Sequence, residues 1–324
     1  MEQNEDINTL VNIEQPNIIK HLVISGGGYY GFYSYGLLEE SNKQGFWDIK
    51  NIKTMHGTSV GALLCVILCL KYKWEVIEKY TLNRPWDQVF NVDIYSIINI
   101  FHQNGLFQIE CFKEIFTPLF NGLDNPISID ITLAEFYELN GIDLYIYCTD
   151  LNTFKKTILS HKTHPDFSLI EAIYSSCSVP IIFSPLIKGD SCYIDGFFHV
   201  HYPIEECLKI TENRDEIMGV CTYMFSENHF LKKKVDDETE EQPISSQTFL
   251  DYILHIFVKL LKLATCVEEC LENNKIKHQF VINTEFATIN EIIEIISNKD
   301  RRAKMVEKGR ILFHSLQNTV DKLF

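Results

Sequence analysis

The chain has 324 residues, 46% of them hydrophobic and 23% charged, which allows a sizeable core and excludes a disordered or fibrous protein. A formal net charge of -15 repels phosphate backbones, which argues against nucleic-acid binding, and any contact with anionic lipid has to be local. The ten cysteines include no C-x-x-C pair, no histidines stand at zinc spacing and no calcium loop occurs, so neither a metal nor a cofactor is expected.

Residues 1–16 form a polar, acidic tail unlike a secretory signal. Asn17 to Ser25 alternates as a strand and stops at Gly26-Gly27-Gly28. A helix follows from Tyr29 towards Lys43, with Gly45 as its C-terminal cap. A short strand at Ile52–Met55 and an apolar helix over Val60–Lys71 complete a β-α-β-α opening, the order of an α/β fold with a parallel sheet. The most apolar run, Val60–Leu70, is too short to span a bilayer, and the scattered thiols point to a reducing compartment, so a cytoplasmic protein is expected. Trp74 to Asn125 mixes helical stretches with aromatic residues, which fits core packing or an apolar cap over a cleft. Thr132-Leu133-Ala134-Glu135 is a capping box. Strands are expected at Leu144–Thr149, Thr157–Ser160, Cys192–Ile194, Ile217–Met224 and Phe280–Asn283. Helices are expected over Ser168–Ser176, Ser246–Asn273 and Asp300–Leu323. Residues 226–245 contain a charge-rich, core-poor stretch that reads as a mobile loop.

Gly57-Thr58-Ser59-Val60-Gly61 has the spacing of a nucleophile elbow, a strained strand-to-helix turn with a serine at its tip. Alone, it also fits an ordinary glycine turn. Gly26 to Gly31 matches G-x-G-x-x-G between a strand and a helix, which raises a dinucleotide site. That site needs an acid at the end of the next strand, but this strand ends in His56-Gly57 and Asp48 precedes it. No Lys-Ser or Lys-Thr follows the glycines, which excludes a phosphate loop. The other use of such a turn is anion binding by bare amides. If the two strands are parallel neighbours, the amides of Gly27 and Gly28 face an oxyanion forming at an acyl carbon attacked by Ser59. For a base, His278 is the best of the late histidines, ahead of His229, His255 and His314. Asp195-Gly196 follows a strand, and in isolation such an aspartate bonds its own turn.

Taken in order, Gly26-Gly27-Gly28-x-x-Gly31, Gly57-Thr58-Ser59-Val60-Gly61 and Asp195-Gly196 resemble the patatin-like phospholipases. So do Cys148-Thr149-Asp150-Leu151-Asn152 and the course of Ser176, Pro180, Phe183 and Pro185. The resemblance implies a three-layer α/β sandwich with a mostly parallel central sheet. It implies a catalytic domain over 17–225, with C-terminal helices and a strand (246–324) packing on it. It also implies a lipid acyl hydrolase of phospholipase A type, with Ser59 as nucleophile, Asp195 as base and the amides of Gly26, Gly27 and Gly28 as oxyanion hole. Gly31, Gly57, Gly61 and Gly196 support the turns. Three positions depart from the family pattern: Tyr30 stands where Lys or Arg is usual, Phe197 where Gly or Ala is usual, and His201 where Asn is common.

Two other readings stay open: an esterase with a Ser-His pair, drawing on His278, His199 or His201, and a lipid-binding scaffold with a relic site. The expected partners are a phospholipid or other acyl lipid and a transient membrane surface, and the need for an activating protein is left open. Candidate membrane faces are Trp74–Phe120, the helix Phe249–Leu263 and the basic cluster Lys299, Arg301, Arg302, Lys304 and Arg310, each also compatible with packing or a solvated face.

Overall fold

The apolar residues after Ile18 form strand β1 (His21–Ile24), and their alternation shows how the layers are built. Leu22 and Ile24 enter one core with Leu37, Leu38, Met55 and Val66, whereas Val23 enters a second with Tyr202, Ile204, Ile217 and Cys221. A strand buried on both faces belongs to the middle of a helix-sheet-helix sandwich. In the computed structural model of the chain, residues 18–91, 102–224, 267–284 and 289–320 are described.

After β1, a 3-10 turn at Gly28–Tyr30 leads into α1 (Gly31–Lys43), and Gly45 follows its end at φ 75°. β2 (Thr54–Thr58) begins two residues later and ends three later than the apolar pattern indicates, and hands over to α2 (Val60–Cys69). Next come α3 (Trp74–Asn83), α4 (Trp86–Val89), β3 (Gly105–Phe107) and α5 (Ile109–Asn121). In α6 (Leu133–Asn140) the expected capping box is formed, Thr132 and Glu135 each bonding the other's backbone N–H. β4 (Asp143–Asp150), β5 (Lys155–Leu159), α7 (Leu169–Cys177), β6 (Ile181–Phe183), β7 (Leu186–Lys188) and β8 (Ser191–Asp195) follow. The chain continues through α8 (Ile204–Leu208), β9 (Ile217–Met224), α9 (Val267–Asn273), β10 (His278–Thr284), α10 (Ile289–Ser297) and α11 (Lys299–Val320).

The eight-stranded sheet has the order β10-β9-β1-β2-β4-β8-β7, with β5 also paired to β4. Strands β10, β9, β1, β2 and β4 are parallel; β5, β8 and β7 join antiparallel. β3 and β6 make a separate two-stranded sheet, into which the segment between Pro180 and Pro185 falls.

The aromatic segment contributes to the core: Phe116 and Phe120 are fully buried, and Trp86, Phe90 and Phe107 pack on it half-buried. Tyr95 and Phe101 lie outside the described residues, as do the 1–16 tail, the 226–245 loop and residues 246–266 of the expected long helix. Within the C-terminal basic cluster the three arginines are paired, while Lys299 and Lys304 are exposed. Arg302 is 3% exposed and donates to the carbonyls of Ile295, Ile296 and Leu82, closing the C-terminal ends of α10 and α3. Arg310 is bonded by Glu39 and Glu78, and Arg301 by Glu294. Charge at helix ends and across helix pairs therefore absorbs these arginines. Among the described residues, no helix is long and apolar enough to cross a membrane.

Candidate active site

β2 ends with Thr58 opposite Tyr147 of β4, and β8 brings Asp195 opposite Cys148, the next residue of β4. Ser59 and Asp195 are therefore delivered together at the carboxyl edge of the sheet. β1 ends at the same level, Ile24 pairing with Gly57, so the glycine loop leaves beside the serine turn.

Ser59 has φ 55° and ψ -127°, a conformation that a side chain disfavours by about 1–3 kcal/mol. Two sets of contacts hold it there. Its N–H donates to Ser176 Oγ at 2.8 Å, and Ser176 donates in turn to the Tyr147 carbonyl at 2.6 Å, pinning the turn to α7 and β4. The flanking glycines allow α2 to press against the strands. A Cβ on Gly57 would lie 2.6 Å from the Ala62 backbone, and one on Gly61 would lie 2.3 Å from the Ile24 carbonyl oxygen. Gly61→Ala is expected to destabilise the fold by more than about 3 kcal/mol, because backbone, not a flexible side chain, occupies the space. Urea unfolding checks this, and a loss below about 1 kcal/mol would contradict the close approach.

Asp195 is 1% exposed. Its Oδ1 accepts the Phe197 N–H at 2.8 Å, while Oδ2 has no hydrogen-bond partner among the described residues. Burial raises the carboxyl to about 7, opposed by the Ser59 hydroxyl and the Phe197 N–H, both of which favour the ionised form. A dry carboxylate with one oxygen uncommitted and a hydroxyl beside it can accept a proton at neutral pH.

The glycine loop is braced from behind. Thr222 of β9 donates its hydroxyl to the Gly26 carbonyl, its N–H donates to Ser25 Oγ at 2.8 Å, and Ser25 also donates to the Gly26 carbonyl at 2.8 Å. The Gly26 N–H is given to the His201 carbonyl at 3.0 Å, so this amide is already committed. Among the described residues, Gly27 and Gly28 remain as the turn's amides without a backbone acceptor. Gly26 instead contributes a bare Cα: a Cβ there would lie 3.4 Å from Ser59 Cβ.

The three unusual residues fall into this loop's surroundings. Tyr30 packs between Tyr29 and Tyr33, with ring centroids 4.3 and 5.7 Å away. The Phe197 ring lies 4.3 Å from that of His201 and against Gly26. His201 donates Nε2–H to the Thr222 carbonyl at 2.8 Å, and burial depresses its pKa to about 4, so it is neutral with a bare Nδ1. The other histidines are placed elsewhere: His278 begins β10 at the opposite sheet edge, His314 bonds Glu40, and His229 and His255 lie outside the described residues. Thr222 and Ser25 carry no signal in the sequence, and Ser176 is read there only as part of the Ser-x-x-x-Pro course, not as a brace. Among the described residues, no group of three or more His, Cys, Asp or Glu is placed to hold a metal ion.

The chain is 26% identical over 238 residues to an uncharacterized protein of Acanthamoeba polyphaga mimivirus, covering 74% of each chain. It is 27% identical to a probable lipid hydrolase of Invertebrate iridescent virus 6, covering 62% of this chain and 68% of that one. Triacylglycerol lipase 4 of Saccharomyces cerevisiae is 27% identical over 52% of this chain, which spans only 19% of the yeast protein. The crystal structure of VipD from Legionella pneumophila shares the fold, with a TM-score of 0.53 at 16% identity, covering 93% of this chain and 67% of that one. The family described as patatin-like phospholipase matches residues 22–208, more than half of the sequence, and the chain belongs to it.

Proposed function

We propose that this protein hydrolyses fatty acyl esters of phospholipids through a Ser59–Asp195 dyad and an acyl-enzyme. The observation that carries this reading is the buried, uncommitted Oδ2 of Asp195 on the same sheet edge as the strained Ser59. Membership of the patatin-like family and the lipid-hydrolase and lipase names of two relatives support the substrate class.

Ser59 Oγ attacks the acyl carbonyl carbon while its proton passes to Asp195. The carbonyl π electrons move to oxygen, and the amides of Gly27 and Gly28 receive the oxyanion; one such donor is typically worth about 3 kcal/mol. Collapse breaks the ester C–O bond, and the Asp195 proton goes to the leaving alkoxide. Water then attacks the acyl-serine, giving its proton to the same carboxylate, and fatty acid leaves as Ser59 recovers its hydrogen. No histidine is required, which suits a site where burial lowers the His201 pKa to about 4, making it a weak base, and its Nε2–H is donated to the Thr222 carbonyl.

Fatty acid release from phosphatidylcholine vesicles tests the proposal. The wild-type chain is expected to release fatty acid and Ser59→Ala to release none; undiminished release by both Ser59→Ala and Asp195→Asn would sink it.

A further inference from the structure

Three large apolar side chains stand in solvent beside the candidate site. Leu151 and Phe154, in the turn between β4 and β5, are 47% and 55% exposed, and Ile187 of β7 is 70% exposed. Cross-strand bonds bring them together. The Leu151 N–H donates to the Cys192 carbonyl at 2.7 Å, Ile187 is the register partner of Cys192, and the Asn152 side chain donates to the Asp190 carbonyl at 2.8 Å. The turn and the β7–β8 hairpin thus form one unit.

This unit is continuous with the catalytic loop. The Phe154 ring lies 4.8 Å from His199 and 6.4 Å from Phe198, both in the segment that follows Asp195. β4 extends to Asp150, three residues past the Tyr147 that partners Thr58, so the turn stands roughly 10 Å beyond the end of the serine strand. Phe154 keeps φ 49°, uncommon for a bulky residue, and the buried Asp150 holds the turn through the N–H groups of Asn152 and Cys192 and the Thr153 hydroxyl. The structure therefore holds an aromatic ring outward at some conformational cost.

We propose that Leu151, Phe154 and Ile187 form the face that seats this protein on a lipid surface, presenting acyl chains to Ser59. The proposal rests on the hydrolase reading, because a lipid substrate has to pass from a bilayer to the sheet edge beside which this face lies. Three side chains cannot supply the roughly 800 Å² per partner that a stable protein complex buries. Apolar insertion, not charge, drives the contact, since the chain carries a net charge of -15.

The test uses the full chain, zwitterionic phosphatidylcholine vesicles and a soluble short-chain nitrophenyl ester. The double variant Leu151→Asp, Ile187→Asp is expected to co-sediment with vesicles at least tenfold more weakly and to lose vesicle hydrolysis in proportion. It should hydrolyse the soluble ester as wild type does and keep the wild-type melting temperature. Wild-type binding should persist at high salt. Ile210→Asp, at a residue 46% exposed just before the amino end of β9, should bind as wild type. Unchanged vesicle binding by the double variant overturns the proposal. So does a wild-type dimer that the double variant converts to monomer with vesicle binding intact, which would assign the face to a second copy. A wild-type chain that binds vesicles through this face but cleaves neither substrate defeats the hydrolase reading and leaves the docking face standing.

Discussion

Asp195→Asn and Ser59→Ala are each expected to cut phospholipid hydrolysis by at least about a thousandfold, the scale on which members of a catalytic unit fail when removed singly. The double variant should be hardly worse than either single one, because in the proposed dyad nucleophile and base act as one device. The aspartate variant is the more informative. Its amide keeps the shape and can still accept the Phe197 N–H at Oδ1, but it cannot take the Ser59 proton. Were a histidine the base, Asp195→Asn would retain most activity and a histidine variant would lose it.

Activity should depend on pH through the same carboxylate. In the proposed dyad Asp195 works as a base only when ionised, and burial places its pKa at about 7. Turnover is therefore expected to fall about tenfold per pH unit below 7 and to level off above it. Stability should move the other way. The folded chain keeps the Asp195 proton to about pH 7, whereas the unfolded chain loses it near the ordinary 3.8, so this group's stabilising contribution is lost as pH rises from about 4 to 7. The resulting penalty at pH 8 is about 4 kcal/mol at most. Asp195→Asn should relieve part of it and raise the melting temperature at pH 8, with a smaller gap at pH 5. A pH-rate profile and paired melting curves check both arms; a lower melting temperature for the variant at pH 8 would show that the carboxylate is compensated by a partner. The buried His56 and His201, depressed to about 3 and 4, act oppositely by withdrawing stability as pH falls below about 6.5.

Much of this arrangement is legible in the sequence because backbone geometry writes itself locally. The elbow needs small residues at positions 57 and 61, since neighbouring backbone lies within 2.6 Å of where a Cβ would stand. The β-α-β-α opening forces both turns to one sheet edge once β1 and β2 pair in parallel. The braces were not legible, because they join residues far apart in the chain. Ser176 holds Ser59 across 117 positions and Thr222 meets Ser25 across 197, and no local pattern tells which partner either hydroxyl will take. Charge was misleading for a related reason: composition counts Arg302 as cationic surface, whereas the fold turns it inward to cap carbonyls from two helices. Strands of three residues, such as β3 and β6, carry too little periodicity to announce themselves.

The proposed dyad makes Ser59 of the folded chain a nucleophile activated by Asp195. Its most direct test is covalent capture: the folded chain is exposed to a fluorophosphonate, and the adduct is mapped by peptide mass spectrometry. One phosphonyl group is expected on the peptide containing Ser59, forming in step with loss of fatty acid release and at least a hundredfold more slowly in Asp195→Asn. A folded, lipid-cleaving chain whose Ser59 remains unlabelled, or whose label sits on another residue, would contradict it.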